Sequence, residues 1–317
     1  MRFRAPTIDD AAAVLEVLVA REIADLGVAD HLLEDLLDEW RATELDLPAD
    51  ARVVELDGRI VAYAMVRGPG ALAAVAPNYE GCGIGTRMLD WAEGRERELG
   101  RSEHRQWIGS GNERGKTLLR AAGYELARSY WRMALRLENL RAGLNSVPEG
   151  LRLRALDVEQ DAVAVHALDA ASFAGAPDYR PESLQAFLEE HLGAHDLDPE
   201  LSRVAELGGQ IAGFLLARRR TDASVGFVDI LAVEPRHQGK GIGTALLAQS
   251  FSLLRAAGLE EAQLGVASSN PRALRVYERI GMTPRFRYDT YERRVAEAGQ
   301  PAATAADKAA RRFPTNP

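Results

Sequence analysis

The chain repeats itself, and a repeat of this length limits the fold to one architecture used twice. Val75 to Gly123 lies over Val233 to Gly281 at a constant offset of 158 residues, without a gap. Along it Pro77 matches Pro235, Gly81 matches Gly239, and Gly83-Ile84-Gly85-Thr86 matches Gly241-Ile242-Gly243-Thr244. Asn112 then matches Asn270, and Gly123 matches Gly281. Upstream the offset falls to 151, where Arg52-Val53-Val54-Glu55-Leu56 pairs with Arg203-Val204-Ala205-Glu206-Leu207, so a loop differs in length between the copies. The openings correspond as well, Arg2-Phe3-Arg4-Ala5 with Arg152-Leu153-Arg154-Ala155. Only two copies are present, which makes a duplicated domain and not a solenoid. The expected division is a first domain over 1–140, a linker over 141–150 with Gly143, Pro148 and Gly150, and a second domain over 151–295. The tail, 296–317, is rich in Ala, Pro and charge without hydrophobic periodicity and reads as disordered.

The second copy shows the pattern of one unit. A short strand at 151–154 precedes an amphipathic helix around Asp161 to Ala171 and a second helix over Pro181 to Leu192, with its proline early. Two strands follow, joined by the hairpin signal Gly208-Gly209, and then a mostly apolar strand, Gly226 to Val233, expected to be buried on both faces. After the glycine cluster come a helix (Thr244 to Ala257, capped by Gly258), a strand (Glu261 to Ala267), a helix (Pro271 to Arg279) and a last strand near Phe286 to Tyr291. This order gives an α/β (α+β) domain. Of 317 residues, 39 are Lys or Arg and 47 Asp or Glu, and a net charge of −8 argues against nucleic acid as main partner. The single cysteine excludes an internal disulfide framework. No apolar run approaches the ~18 residues of a membrane span, and Met1-Arg2-Phe3-Arg4 runs into Asp9 and Asp10 without the apolar stretch of a signal peptide. A cytoplasmic protein with no membrane partner is expected.

The cluster Gln238-Gly239-Lys240-Gly241-Ile242-Gly243-Thr244 sits between a strand and a helix. Glycines let the backbone turn sharply and bring N–H groups to an anion, and the helix start adds partial positive charge. It is no Walker A loop, because Lys240 is followed by Gly241, and no dinucleotide fingerprint, because Thr244 stands where a third glycine is needed. Pro235, Gln238 and Gly241-Ile242-Gly243 instead resemble the acyl-CoA loop of the GNAT N-acetyltransferase superfamily, and Asn270-Pro271-Arg272-Ala273-Leu274-Arg275-Val276-Tyr277-Glu278-Arg279-Ile280-Gly281 resembles its second motif. The tandem plan resembles that of the mycothiol synthase family, with a departure at Phe227, where that pattern has a glutamate.

The resemblance implies two tandem GNAT-type domains, each a twisted mixed sheet flanked by helices. It implies an acetyl-CoA-dependent N-acetyltransferase whose acceptor is the primary amine of a small molecule, attacked directly. Aminoglycosides, polyamines, amino-acid derivatives and peptide N-termini all stay open as acceptors. Backbone N–H groups of Gln238, Gly239, Lys240, Gly241, Ile242, Gly243 and Thr244 would hold the CoA pyrophosphate. The strand carrying Leu231 and Val233 would pair with the pantetheine arm, and Asn270 and Arg272 would complete the donor site. Tyr277 would protonate the departing thiolate as general acid; the plain alternative is an ordinary aromatic on a helix face. Side chains at 227, 229, 231 and 233 are expected to share one strand face, and Asp229 there is the candidate base or water-holder. The alternatives are a carboxylate at an exposed strand end or one hydrogen-bonded to a neighbouring turn.

The first copy keeps Val75, Gly81, Gly83, Gly85, Thr86 and Asn112, the residues of a second acyl-CoA site. Glu80 replaces Gln238 and Leu119 replaces Tyr277, so this half is expected to be non-catalytic, a scaffold or an unproductive acyl-CoA binder. The competing reading of the whole chain is a non-catalytic acyl-CoA sensor or partner-binding pseudo-acetyltransferase. Cys82 reads as a small side chain in a turn. His31, His104 and His166 are expected on surfaces, and His191 and His195 in the loop after the second helix, with Gly193 between them. No metal is expected. Asp178, Tyr179 and Glu182 either line an acceptor pocket or form a solvated face. Two halves in one chain make a monomer with an internal pseudo-dimer the expected state.

Overall fold

A computed structural model describes residues 1–68, 70–141, 147–176, 179–220 and 224–294. The expected disordered tail, the middle of the linker and Asp178 lie outside the described residues. The first copy runs β1 (Arg2–Arg4), α1 (Ala11–Leu26), α2 (Leu33–Arg41), α3 (Leu47–Asp50), β2 (Ala51–Leu56), β3 (Arg59–Arg67), β4 (Gly70–Val75), α4 (Ile84–Glu98), β5 (Glu103–Gly109), α5 (Glu113–Ala121) and β6 (Glu125–Arg136). The second runs β7 (Leu151–Ala155), α6 (Val158–Phe173), α7 (Leu184–Phe187), β8 (Arg203–Leu207), β9 (Gln210–Arg220), β10 (Val225–Val233), α8 (Ile242–Ala256), β11 (Glu261–Ala267), α9 (Pro271–Ile280) and β12 (Thr283–Arg294). The helix expected from Pro181 begins only at Leu184, where Ser183 caps it, and continues as a wider turn over Leu188–Leu192.

The chain forms two compact units. Unit 1 holds Met1–Ala29, Asp46–Ala127 and the chain from Thr290; unit 2 holds Asp30–Leu45 and Arg128–Asp289. In unit 1 the strand order is β1-β2-β3-β4-β5, and in unit 2 it is β6-β11-β10-β9-β8-β7. The β4–β5 and β10–β11 pairs are parallel among antiparallel neighbours, so each unit is a mixed sheet. In unit 2 one layer packs Leu215, Val228, Leu246, Phe251 and Tyr277 on the α8 side, and the other packs Val165, Phe187, Phe214, Leu216 and Ile230 on the α6 side.

Both units lock their opening strand with the same ion trio. Arg4 grips Asp10 at 2.6 and 2.8 Å and Glu55 at 3.1 Å. Arg154 grips Asp161 at 2.6 and 2.7 Å and Glu206 at 2.6 Å. Burial works against the Asp161 carboxylate, but the Arg154 bonds outweigh it and hold the group below its ordinary range. The stabilisation is therefore present above the unfolded carboxylate pKa and fades as pH falls through the lowered one. Arg154→Met is expected to cost about 2–3 kcal/mol at pH 7, the worth of charged hydrogen bonds, and less at pH 3, as read by urea unfolding.

Candidate active site

Strand β10 pairs with β11 only from Val225–Glu261 to Val228–Leu264. Beyond that point β10 stays with β9 as far as Val233–Gly213, and β11 stays with β6 as far as Ala267–Tyr130. The two parallel strands thus part, and residues 229–233 present a strand edge to an extended ligand. The loop at the end of that edge turns on Gly239 and Gly241, at φ 82° and 87°, a region costly for any side chain. Gly241 is the N-cap of α8 and leaves its first N–H groups without a side-chain cap. A Cβ on Gly243 would meet only Val233 and Leu231, at 3.7 and 4.0 Å, so the backbone is open towards the strand edge.

The side chains of the loop divide the work. Ile242 is buried in the core, leaving its backbone alone for a ligand. Gln238 donates to the Val233 carbonyl at 3.0 Å and accepts from Arg272 at 2.7 Å, which ties loop, strand and α9 together. Asn270 Oδ1 caps α9 by accepting from the Ala273 N–H at 3.0 Å, leaving its amide NH2 as the group for a ligand. Arg236, Lys240 and Arg272 bring positive charge to this loop, where the first copy has Asn78, Cys82 and Arg114. The loop, the helix start and the parted strands together suit an anionic, extended molecule with a pyrophosphate, as acetyl-CoA is.

Tyr277 sits on α9, 8% exposed, in the α8-side core. Burial alone pushes its phenol up to about 12, so it keeps its proton at neutral pH. Asp229 falls where β10 shifts register between Val228 and Ile230, making it the extra residue of a bulge. The bulge overturns the expected single face for 227, 229, 231 and 233. Leu231 and Val233 pack on the α8 side, opposite Leu215 and Gly213, while Asp229 bonds to the α6 side beside Ile230. Its Oδ2 accepts from His191 Nδ1 at 2.7 Å and from Arg218 Nη2 at 2.9 Å. Burial opposes the carboxylate, yet these two cations hold it below the usual range, leaving it little drive to take a proton. Neither Arg218 nor the bulge was legible as part of the site; the run Arg218-Arg219-Arg220 ending an apolar strand was the available signal.

In unit 1 a cavity of about 530 Å³ is lined by Val75, Gly81, Gly83, Gly85, Thr86 and Asn112, with Leu119 in its wall. Leu119 is 3% exposed. The charge on Glu80 is not left bare: Arg21 bonds it, and Arg114 lies 3.4 Å away. Cys82 is exposed and lies 3.7 Å from the Glu80 carbonyl. His104, expected on a surface, is fully buried on β5 against the edge of Tyr124. The metal-type clusters among the described residues, Asp35–His195–Asp196 and Glu182–Glu190–His191, are engaged by ion pairs to Arg220, Asp38, Arg218 and Asp229. No helix among the described residues is long and apolar enough to cross a membrane.

Residues 31–124 and 164–282 match the acetyltransferase (GNAT) family. A mycothiol acetyltransferase of Thermobispora bispora is 30% identical over 231 residues, covering 71% of this chain and 76% of that protein. A GCN5-related N-acetyltransferase from Sphaerobacter thermophilus shares the fold at a TM-score of 0.77 and 25% identity, over 96% of this chain and 98% of the other. A tandem GNAT protein from the clavulanic acid biosynthesis pathway superposes at a TM-score of 0.72 and 19% identity, over 94% and 99% of the two chains. With one matched region in each copy, the chain belongs to the acetyltransferase (GNAT) family and is an N-acetyltransferase.

Proposed function

We propose that the protein transfers the acetyl group of acetyl-CoA to the primary amine of a small molecule, and that unit 2 is the catalytic half. The observation that carries this reading is Tyr277, a buried phenol that keeps its proton, at the position where unit 1 has Leu119. Gln238 to Thr244 would hold the pyrophosphate through backbone N–H groups. The edge of β10 around Leu231 and Val233 would take the pantetheine, and Asn270, Arg272 and Lys240 would supply polar contacts. Acetyl-CoA brings an acyl thioester, and Tyr277 would give a proton to the sulfur as the acyl group leaves. Asp229 serves as a fixed anion beside the reaction and not as the base. Mycothiol acetyltransferase relatives support an acceptor of the small amine class.

Unit 1 supports a second role within the same chain. Its glycine loop has the same left-handed turns, with Gly81 and Gly83 at φ 77° and 78°, and its cavity has Leu119 where an acid would stand. This fits acyl-CoA held without turnover. Mixing the protein with acetyl-CoA and a panel of primary amines, while following free thiol, tests the main reading. Thiol release with at least one amine is expected. Tight acetyl-CoA binding with no thiol across the panel would favour a sensor.

A further inference from the structure

An amine attacks a thioester through a free lone pair, and an alkyl ammonium has none until it loses a proton. The groups beside the β10 bulge are arranged for that loss. The hydrogen bond from Nδ1 to Asp229 fixes the tautomer of His191 and turns Nε2 towards Glu182, whose Oε2 lies 3.5 Å away. Arg218 holds the same Asp229 oxygen and also the carbonyl of Glu190, the residue before His191, at 2.8 Å. Phe187 packs against the ring with centroids 5.0 Å apart. The imidazole is thus fixed through its backbone, one face and one nitrogen, while its side chain keeps 18% exposure.

We propose that His191 removes the proton from the acceptor ammonium, that Asp229 is its positioning residue, and that Asp169 and Glu182 select an acceptor that arrives as a cation. This rests on the acetyl-transfer reading above. The first copy shows that the fold does not need these groups. There β4 pairs with β3 residue for residue from Val75 to Gly70, so Asp229 is an insertion without a counterpart. Asp10 and Asp161 hold equivalent arginines, and in that register Leu18, a buried core residue, stands where α6 has Asp169. The Tyr179 hydroxyl donates to the Asp169 carboxylate, yet burial outweighs that bond and holds the group above its ordinary range, a desolvation cost at a position whose twin takes leucine that a binding role explains.

The step balances as follows. An N–H bond of the ammonium breaks and its proton passes to Nε2 of neutral His191. The freed lone pair forms the N–C bond, and the C–S bond breaks. Tyr277 gives its phenolic proton to the sulfur and recovers one from the nitrogen as the amide forms. His191 passes its proton to solvent by way of Glu182. His191 is bonded to Asp229 beside Ile230 of the α6-side core, Tyr277 lies in the α8-side core, and β10 parts from β11 just beyond Val228, next to Asp229.

The titratable and charged groups facing His191 are Asp229 on β10, Arg218 on β9, Asp169 and His166 on α6, Glu182 with Tyr179 before α7, and Glu190 in its own turn. Burial disfavours the imidazolium, but the bonds to Asp229 and Glu182 outweigh it and raise His191 to about 10. Because only the neutral ring accepts a proton, kcat/KM climbs with pH up to that range.

The test uses the full chain and an amine accepted by it. His191→Ala is expected to lower kcat by about 10²- to 10³-fold with the acetyl-CoA KM within threefold, and added imidazole to restore part of the rate. Asp229→Asn is expected to move the rising limb of the pH profile, and the NMR titration of the His191 ring, at least one pH unit towards the ordinary histidine value. A His191→Ala variant with unchanged kcat and pH profile would overturn the inference, as would a ring titration that ignores Asp229→Asn. If the unaltered chain acetylates no amine, the acetyl-transfer reading falls and this inference with it.

Discussion

Tyr277→Phe is expected to lower kcat by about 10²- to 10³-fold while acetyl-CoA affinity stays within threefold. The phenol is 8% exposed, and burial alone raises it to about 12, so no neighbouring charge competes for its proton. Removing one oxygen takes away the acid and leaves the loop at Gln238 to Thr244 intact. The same shift predicts that activity shows no alkaline decline until pH exceeds 10, since the phenol must ionise before it stops donating. Leu119→Tyr in unit 1 is expected to leave turnover unchanged, because that half has no counterpart of Asp229. Initial rates of thiol release against both substrates check each point. A Tyr277→Phe enzyme with unaltered kcat would contradict the assignment.

The second large effect lies in the glycine loops. Gly241 at φ 87° and Gly83 at φ 78° cap the helices that follow them, α8 and α4. A β-branched residue at such an angle is strained by roughly 1–3 kcal/mol, so Gly241→Val and Gly83→Val force their loops to rearrange and turn the N–H groups away. Neither Cβ meets a close atom, only Pro148 at 3.7 Å from the Gly241 position, so the damage is to the backbone angle and is matched between copies. Gly241→Val is expected to weaken productive acetyl-CoA binding by about 10-fold or more, the tenfold per 1.4 kcal/mol of that strain. Titration calorimetry reads it directly, with Gly83→Val reporting on the other copy.

The duplication made much of the fold legible. The matched glycines and Asn112 and Asn270 placed two helix starts in register, and the strand 261–267 emerges with the limits expected of it. The apolar run over 226–233 lies within β10, which begins one residue earlier. What the sequence hid depends on geometry that periodicity cannot express. An inserted residue at 229 reads as one more position in a strand, yet as a bulge it turns Asp229 away from the face of Leu231 and towards Arg218 and His191. Segment 30–45 belongs by sequence to the first copy but packs in unit 2, where Asp35 meets Arg220 and Asp38 meets His195. Nothing in its composition marks that exchange. His104 is buried against Tyr124 and not on a surface; an imidazole on a strand has no pattern that tells a buried edge-on contact from a solvated one.

The central claim is that acetyl transfer takes place in unit 2. It is tested most directly by following free thiol from acetyl-CoA and an accepted amine for the unaltered chain, Gly241→Val and Gly83→Val side by side. The account predicts that Gly241→Val loses most of the rate and Gly83→Val keeps it. Retention of rate by Gly241→Val together with its loss in Gly83→Val would contradict the account and place the chemistry in the other half.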